Sequence, residues 1–74
     1  MKHKVRLPSS VKNILIKIPE TSMGAQRLDI CLSDGKIISD VSIFNGEDAM
    51  LEEPIITSEI VAFRERNGKI WKVR

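Results

Sequence analysis

The stretch "LDICLSDGKIISDVSIF", residues 28–44, decides the fold. Every second residue from 28 to 32 is Leu or Ile, and the residues between them are polar or small. This period of two predicts a strand with one buried face. Asp34-Gly35 follows at once, and a second run rich in β-branched residues begins two positions later. Asp-Gly between two such runs is a strong signal for a β-hairpin with a two-residue turn.

The register of this hairpin can be tested against its side chains. A two-residue turn pairs Leu28 with Val41 and keeps one face of the hairpin apolar. The same register places Asp29 opposite Asp40, and like charges directly opposite each other are unfavourable. A bulge after Ile38 would relieve this repulsion and bend the strand. We therefore expect a two-residue turn with a bend beyond it.

A second hairpin is predicted near the end of the chain, where Asn67-Gly68 separates residues 55–66 from residues 69–74. A two-residue turn would mix apolar and charged residues on each face. A three-residue loop, with Gly68 as the bulge residue, instead pairs Phe63 with Trp71 and gathers the apolar side chains on one face. We choose the second register, which makes Trp71 a core residue and directs Arg64 and Lys72 away from the core.

The remaining pattern is mostly β. "NILIKI" (13–18), rich in Ile and closed by Pro19, predicts a strand, and a short strand is expected at 49–51. Residues 7–13 could open with a helical turn capped by Ser9 or Ser10. Residues 1–10 are expected to form a flexible N-terminal segment of a single domain, 1–74. The predicted fold class is all-β, with five strands in a small barrel or a strongly curved antiparallel sheet.

The stretch from 28 to 45 resembles the first half of an Sm-like domain, one of the small SH3-like barrels. Asp34, Gly35 and Lys36 occupy the places of that family's turn and basic residue, and Phe44 and Asn45 those of its strand end. The bending glycine of that family has no counterpart here, and "RERNG" (64–68) matches only loosely its second-half signature. The resemblance covers about a quarter of the chain and implies a small barrel more than it implies RNA binding.

Composition points to a globular domain, because 42% of the residues are hydrophobic and 30% are charged. The net charge is +2, but residues 1–27 carry +5, residues 28–59 carry −7 and residues 60–74 carry +4. Such blocks can create a dipolar surface that affects steering and self-association. The alternative is that the strands bring the blocks together and intermix their charges. Apolar runs are far shorter than the roughly 20 residues that cross a membrane. With its single cysteine, Cys31, the sequence suggests a cytoplasmic protein.

Catalysis is not expected. His3 and Cys31 are the sole residues of their types, so no nucleophile–histidine pair can be assembled in the core, and no Gly-rich phosphate loop or cofactor motif is present. Met1-Lys2-His3 places an imidazole third from the amino terminus, which is the nitrogen arrangement that Cu(II) or Ni(II) prefers. A histidine reaches that position by chance often enough that we predict no biological metal site.

Two functions remain open. The first is a non-enzymatic module for protein interaction or self-assembly, which would use an exposed sheet edge or the contrast between the acidic middle and the basic ends. The second is nucleic-acid binding, RNA in particular, through a basic face. The candidate residues for binding a nucleic acid or another partner are Arg64, Arg66, Lys69, Lys72 and Arg74, with Lys2, Lys4 and Arg6 as further contributors. We rank the interaction module first, since a net charge of +2 is low for a nucleic-acid domain.

Overall fold

A computed structural model describes residues 2–19 and 25–73. These residues form one antiparallel sheet in the order β1-β4-β3-β2-β5-β6, with one α-helix and one 3₁₀ turn. The elements are β1 (His3–Arg6), α1 (Ser9–Leu15), β2 (Ala25–Leu32), β3 (Ile37–Phe44), β4 (Asp48–Leu51), a 3₁₀ turn (Thr57–Glu59), β5 (Ile60–Arg64) and β6 (Ile70–Lys72). The all-β class is confirmed, but the sheet has six strands instead of five and is not closed into a barrel.

The hairpin of β2 and β3 forms where it was predicted, but its turn and the pairing next to the turn differ from the prediction. Leu28 lies opposite Val41, as expected. Near the turn, Ile37 pairs with Cys31, one position away from the two-residue register. The loop has three residues because the N–H of Leu32 donates to the carbonyl oxygen of Lys36 at 2.9 Å. The Asp-Gly signal therefore located the hairpin correctly and gave the wrong loop length.

The bulge that we expected after Ile38 is present. Ile38 pairs with Ile30 and Val41 pairs with Leu28, so Ser39 and Asp40 together lie opposite Asp29. Asp40 takes a positive φ of 58°, and its backbone N–H donates to Oδ1 of Asp29 at 2.9 Å. The predicted contact between two carboxylates is thus replaced by a hydrogen bond from the backbone to one of them.

The hairpin of β5 and β6 confirms the three-residue loop. Phe63 lies opposite Trp71, and the N–H of Glu65 donates to the carbonyl oxygen of Lys69 at 2.8 Å. Gly68 has φ +92°, the left-handed conformation that the bulge position of such a loop requires. The strand before this loop is shorter than the predicted run 55–66, because residues 57–59 form the 3₁₀ turn and β5 begins at 60.

The N-terminal segment 1–10, for which we expected flexibility, contains a paired strand. Within it, β1 pairs with β4 from His3 opposite Leu51 to Arg6 opposite Asp48. The next residue, Leu7, is buried with 3% of its surface exposed. A basic N-terminal sequence looks solvated when it is considered alone, but pairing with β4 satisfies one side of the backbone of β1, and the strand leads directly to the buried Leu7.

The predicted strand at 13–18 is wrong, because α1 runs through Ser9–Leu15 and continues in turns to residue 18. Val11, Leu15 and Ile18 are buried, and their spacing of four and three residues is that of a helix face. Ile16, which a strand would bury with its neighbours at 14 and 18, is 67% exposed. The helix begins after Pro8, and neither Ser9 nor Ser10 caps it by a side-chain hydrogen bond.

One face of the sheet and the buried side of α1 share a single hydrophobic core. The largest fully buried side chains are Phe63, Leu15, Leu28, Ile30, Ile43, Leu51 and Ile60. Side chains alternate along each strand, so the charged residues between these positions lie on the other face of the sheet. We call that other side the outer face.

The bulge also leaves part of β3 without a second neighbour. The pairing of β3 with β4 covers Ser42, Ile43 and Phe44, opposite Met50, Ala49 and Asp48. Residues 37–41 have β2 on one side, and no strand within the described part of the chain pairs with their other side. We call residues 37–41 the open half of β3.

Candidate interaction surface

Arg64, the first of the predicted basic residues, lies on the outer face but is bound to an acidic neighbour. Its Nη2 and Nε donate to Oδ2 of Asp29 at 2.8 and 3.0 Å. The two residues are opposite each other on adjacent strands, β5 and β2. The hydrogen bond from the N–H of Asp40, followed by the contacts with Arg64, lowers the pKa of Asp29 against the opposing effect of burial. Arg64 therefore links β5 to β2 through its ion pair with Asp29.

A second ion pair extends this arrangement along the bulge. Nη2 of Arg27, on β2, lies 2.5 Å from Oδ2 of Asp40 on β3. Since Asp40 also donates its N–H to Asp29, four residues from three strands form one connected polar network, from Arg27 to Arg64. The carboxylates of this network neutralise two of the basic side chains on the outer face.

Trp71 packs against the core, as predicted, but it is only half-buried. Its Nε1 donates to Oε2 of Glu65 at 2.6 Å, and Nζ of Lys69 lies 4.3 Å from the centre of its ring. One face of the ring is thus covered by a cation from the same hairpin. Lys69, another predicted basic site residue, also has a contact within the protein.

The other predicted basic residues that the structure describes are exposed, and Arg66 lies near enough to Asp29 to contribute, after Asp40 and Arg64, to its lowered pKa. Lys72 is exposed on β6, and Arg66 is exposed in the loop before it. Arg74 lies outside the described residues. Lys2, Lys4 and Arg6 are exposed at the opposite side of the sheet, because β1 and β6 are its two edge strands. The structure therefore separates the two basic groups that the sequence analysis combined.

The acidic segment pairs with the N-terminal part of the chain. Oε2 of Glu47 lies 3.6 Å from Nζ of Lys12, and Oδ1 of Asp48 lies 3.9 Å from Nε of Arg6. Both contacts are at the β1–β4 side of the sheet, away from the C-terminal hairpin. Glu47 and Asp48 therefore pair with basic residues other than those of the C-terminal hairpin.

A cleft opens where β3 and β4 separate, and we did not predict it from the sequence. Its volume is about 420 Å³, and its apolar lining includes Ile38, Val41, Met50, Leu51 and Ile55. Charged residues of both signs complete the lining: Lys2, Lys36, Asp40, Glu52 and Glu53. The expected bulge was the one feature from which the cleft could have been predicted, because a bent strand cannot continue its pairing with a straight neighbour.

Apolar side chains are exposed at several places on the surface. Ile70, on the edge strand β6, is 56% exposed, and Ile37, at the open half of β3, is 45% exposed. Ile56 is 66% exposed, but it precedes the 3₁₀ turn and belongs to no strand. Among the described residues, the unpaired edges of the sheet are β1, β6 and the open half of β3.

The two residues singled out for chemistry stand apart from each other. His3 is exposed at the start of β1, and Cys31 is a half-buried free thiol on β2. Within residues 2–19 and 25–73, no three His, Cys, Asp or Glu side chains are grouped so that they could hold a metal ion. In the same ranges, none of the helical structure has the length and apolar character needed to cross a membrane. Comparisons with protein-family models, with curated proteins and with solved structures find no match.

Proposed function

We propose that this chain is a non-enzymatic module for protein interaction and self-assembly that works through the open edges of its sheet. The observation that carries the proposal is β6, an edge strand of three residues on which Ile70 is 56% exposed. Natural sheets protect their edges with charges, bulges or covering segments, and an apolar side chain on an uncovered edge favours pairing with another chain. The opposite edge, β1, carries Lys4 and Arg6 and is protected in this sense.

The polar contacts of the outer face favour a protein partner over a nucleic acid. Arg64 and Arg27 are each held by a carboxylate of the same sheet, so phosphate groups would compete with Asp29 and Asp40 for them. Trp71 is half-buried and contacts Lys69, which leaves little of its ring for stacking on a base. Further features of the proposal are a cytoplasmic location and a fold related to the small SH3-like and Sm-like barrels, with the sheet left open.

Sedimentation velocity over a range of concentrations tests the proposal. We expect the wild-type protein to associate as its concentration rises, and Ile70→Lys to be monomeric because a charged residue blocks the apolar edge. Ile16→Lys is the matched control, since Ile16 is 67% exposed on the helical segment and belongs to no sheet edge. A wild-type protein that stays monomeric at high micromolar concentration would rule out self-assembly.

Nucleic-acid binding is the second candidate, and it rests on the exposed Arg66 and Lys72 of the C-terminal hairpin. Contacts of these residues with phosphates would be tolerant of sequence and would weaken steeply with salt, with a log–log slope of about −0.9 for each phosphate neutralised on duplex. Titration of labelled RNA and DNA at low and moderate salt measures this slope. Replacing both residues by Gln should reduce it by roughly two, whereas Lys17→Gln, at the end of the helical segment, should not.

A further inference from the structure

We propose that the turn between β3 and β4 is a site of spontaneous modification, at which Asn45 loses ammonia and is converted to aspartate and isoaspartate. Asparagine is a labile residue, and a following glycine favours its reaction because no side chain hinders the attacking backbone nitrogen. The chain contains two such pairs, Asn45-Gly46 and Asn67-Gly68. Their surroundings in the structure differ, and the difference favours reaction at Asn45.

The reaction begins with attack of the glycine nitrogen on the asparagine side chain. The nitrogen of Gly46 bonds to Cγ of Asn45 and gives up its proton, the bond from Cγ to Nδ2 breaks, and ammonia leaves a five-membered succinimide ring. Water then opens the ring. Its addition at Cγ gives aspartate, and its addition at the backbone carbonyl carbon gives isoaspartate, in which the main chain runs through Cγ and is one carbon longer. The overall change exchanges one water for one ammonia and needs no oxidant or cofactor.

The groups that must react at Asn45 are free of competing contacts. Among the described residues, the N–H of Gly46 donates to no acceptor, and the side chain of Asn45 makes no hydrogen bond. Asn45 is also exposed, so solvent reaches its amide group. Neither the nucleophile nor the group that it attacks therefore has to break a hydrogen bond before the two approach each other.

The corresponding groups at Asn67 are held by the loop of the C-terminal hairpin. The N–H of Gly68 donates to the carbonyl oxygen of Glu65 at 2.9 Å, and Oδ1 of Asn67 accepts from the N–H of Lys69 at 2.9 Å. One hydrogen bond holds the nucleophile and the other holds the amide group, so both oppose the movement that would join them. We expect Asn67 to react only when this loop opens.

The backbone at Asn45 also favours opening of its turn. Asn45 and Gly46 have φ values of 56° and 70°, the two positive values that a type I′ turn requires. A left-handed φ is unfavourable for a residue with a Cβ atom, although asparagine tolerates it better than most. The hydrogen bond that closes the turn runs from the N–H of Glu47 to the carbonyl oxygen of Phe44 at 3.0 Å, and neither reacting residue takes part in it.

Isoaspartate at this position would disturb the pairing of β1 with β4. The carbonyl oxygen of Glu47 accepts a hydrogen bond from the N–H of Leu7 at 2.6 Å, and strand pairing continues from the next residue, with Asp48 opposite Arg6. An additional main-chain carbon before Glu47 displaces these partners relative to β3. We therefore expect the isoaspartate form to hold β1 less firmly, whereas conversion to aspartate changes the charge and leaves the main chain intact.

Peptide mapping of the wild-type protein tests the site. Folded protein at mildly alkaline pH and protein unfolded in guanidinium chloride are incubated in parallel, and samples are digested after lysine. This digestion leaves both asparagines in one peptide, residues 37–69, so fragmentation by mass spectrometry gives both rates from the same molecules. We expect Asn45 to react several-fold faster than Asn67 in the folded protein, and the two rates to be similar in the unfolded protein. Folded protein in which Asn67 reacts as fast as Asn45, or an unchanged ratio of the rates after unfolding, would overturn the inference.

Gly46→Ala tests the attacking atom. The added Cβ lies 3.6 Å or more from its neighbours, so it fits, but it hinders attack by the nitrogen of residue 46. Reaction at Asn45 should slow several-fold, and an unchanged rate at Asn67 in the same peptide shows that the variant is folded. If Asn67 accelerates because the variant unfolds, the comparison is made in guanidinium chloride, where the slower reaction at Asn45 is again expected. An unaltered rate at Asn45 would contradict the mechanism.

Limited digestion with trypsin tests the consequence for β1. Asn45→Asp is the matched control, because it has the charge of the deamidated protein and a normal main chain. The isoaspartate form, separated by chromatography, should be cleaved after Lys4 and Arg6 several-fold faster than Asn45→Asp, since both residues lie on β1. Equal cleavage of the two proteins would overturn the effect on β1.

Discussion

Gln26 offers the sharpest test of how the helical segment is fixed to the sheet. This residue of β2 is 5% exposed, and its Nε2 donates to the carbonyl oxygens of Leu15 and Ile18 at 2.5 and 2.6 Å. These carbonyl groups lie at and just beyond the end of α1, where a helix leaves acceptors unsatisfied. Gln26→Glu changes the size of the side chain very little, but it replaces the donor by an oxygen that is ionised at neutral pH.

The magnitude follows from these contacts. Two hydrogen bonds of about 1 kcal/mol each are lost, and a buried carboxylate facing two carbonyl oxygens adds several kcal/mol. A domain of 74 residues has a free energy of unfolding of roughly 4–11 kcal/mol. We expect Gln26→Glu to lose most of its stability at pH 7. Gln26→Leu should cost only about 1–2 kcal/mol, since it also removes Oε1, which is buried with no hydrogen-bond partner among the described residues.

Acidification separates the effect of charge from the loss of the hydrogen bonds. Burial against carbonyl oxygens would raise the pKa of the introduced Glu above its unfolded value of about 4.3. The stability of Gln26→Glu is then fully present below that unfolded pKa and is lost as pH rises towards the folded pKa. Urea unfolding of the variant, wild type and Gln26→Leu at pH 4 and pH 7 measures the difference. Equal stability of the Glu and Leu variants at pH 7, with no gain of the Glu variant at pH 4, would show that Gln26 does not donate to these carbonyls.

Three further changes test the outer face and the C-terminal hairpin by urea unfolding. Asp29→Asn should cost about 1 kcal/mol at pH 7 after allowance for solvent screening, and the difference should vanish in acid. The hydrogen bond from the N–H of Asp40, followed by the contacts with Arg64, lowers the pKa of Asp29, so these contacts stabilise the fold above the unfolded pKa near 4 and are lost as pH falls through the folded pKa. Gly68→Ala should cost about 1 kcal/mol through its φ of +92° alone, since no atom lies within 4 Å of the added Cβ; a much larger cost would contradict the open surroundings. Trp71→Ala should cost about 2–3 kcal/mol, less than for a fully buried Trp opposite Phe63, and strongly red-shifted native fluorescence of the wild type would argue against its packing.

The two hairpins show which part of a β-structure is encoded locally. Asp34-Gly35 and Asn67-Gly68 form the same loop, in which the Asx side chain accepts a hydrogen bond from the backbone N–H two residues later, at 2.9 Å in both. In each, only the glycine has a positive φ. Our prediction was correct for the second loop because the positions of the aromatics decided between two registers. In the first, the three-residue loop shifts the register by one position, and the bulge at Ser39 and Asp40 restores the expected pairing of Leu28 with Val41.

We expected a helical turn within residues 7–13 but a strand at 13–18, because the segment 13–18 satisfies two periods at once. Its Ile residues at 14, 16 and 18 follow the period of a strand, while Val11, Leu15 and Ile18 follow that of a helix. Short apolar runs are ambiguous in this way, and the arrangement of the whole chain decides between them. Here β1 occupies the edge of the sheet, which the basic N-terminal sequence gave no reason to expect. The helical segment packs instead against one face of the sheet, where Val11, Leu15 and Ile18 join the hydrophobic core.

From the sequence, we could predict the charges of the candidate surface but not the contacts that these charges make. A sequence shows that Arg64 is basic, but its partner depends on which residue of another strand lies opposite, and Asp29 is 35 positions away along the chain. The same bulge that brings the N–H of Asp40 to Asp29 turns β3 away from β4 and opens the cleft. One local irregularity thus completes the hydrogen bonds of Asp29, which holds Arg64, and also opens the cleft. Neither result was predicted from the sequence, because each depends on contacts between different strands.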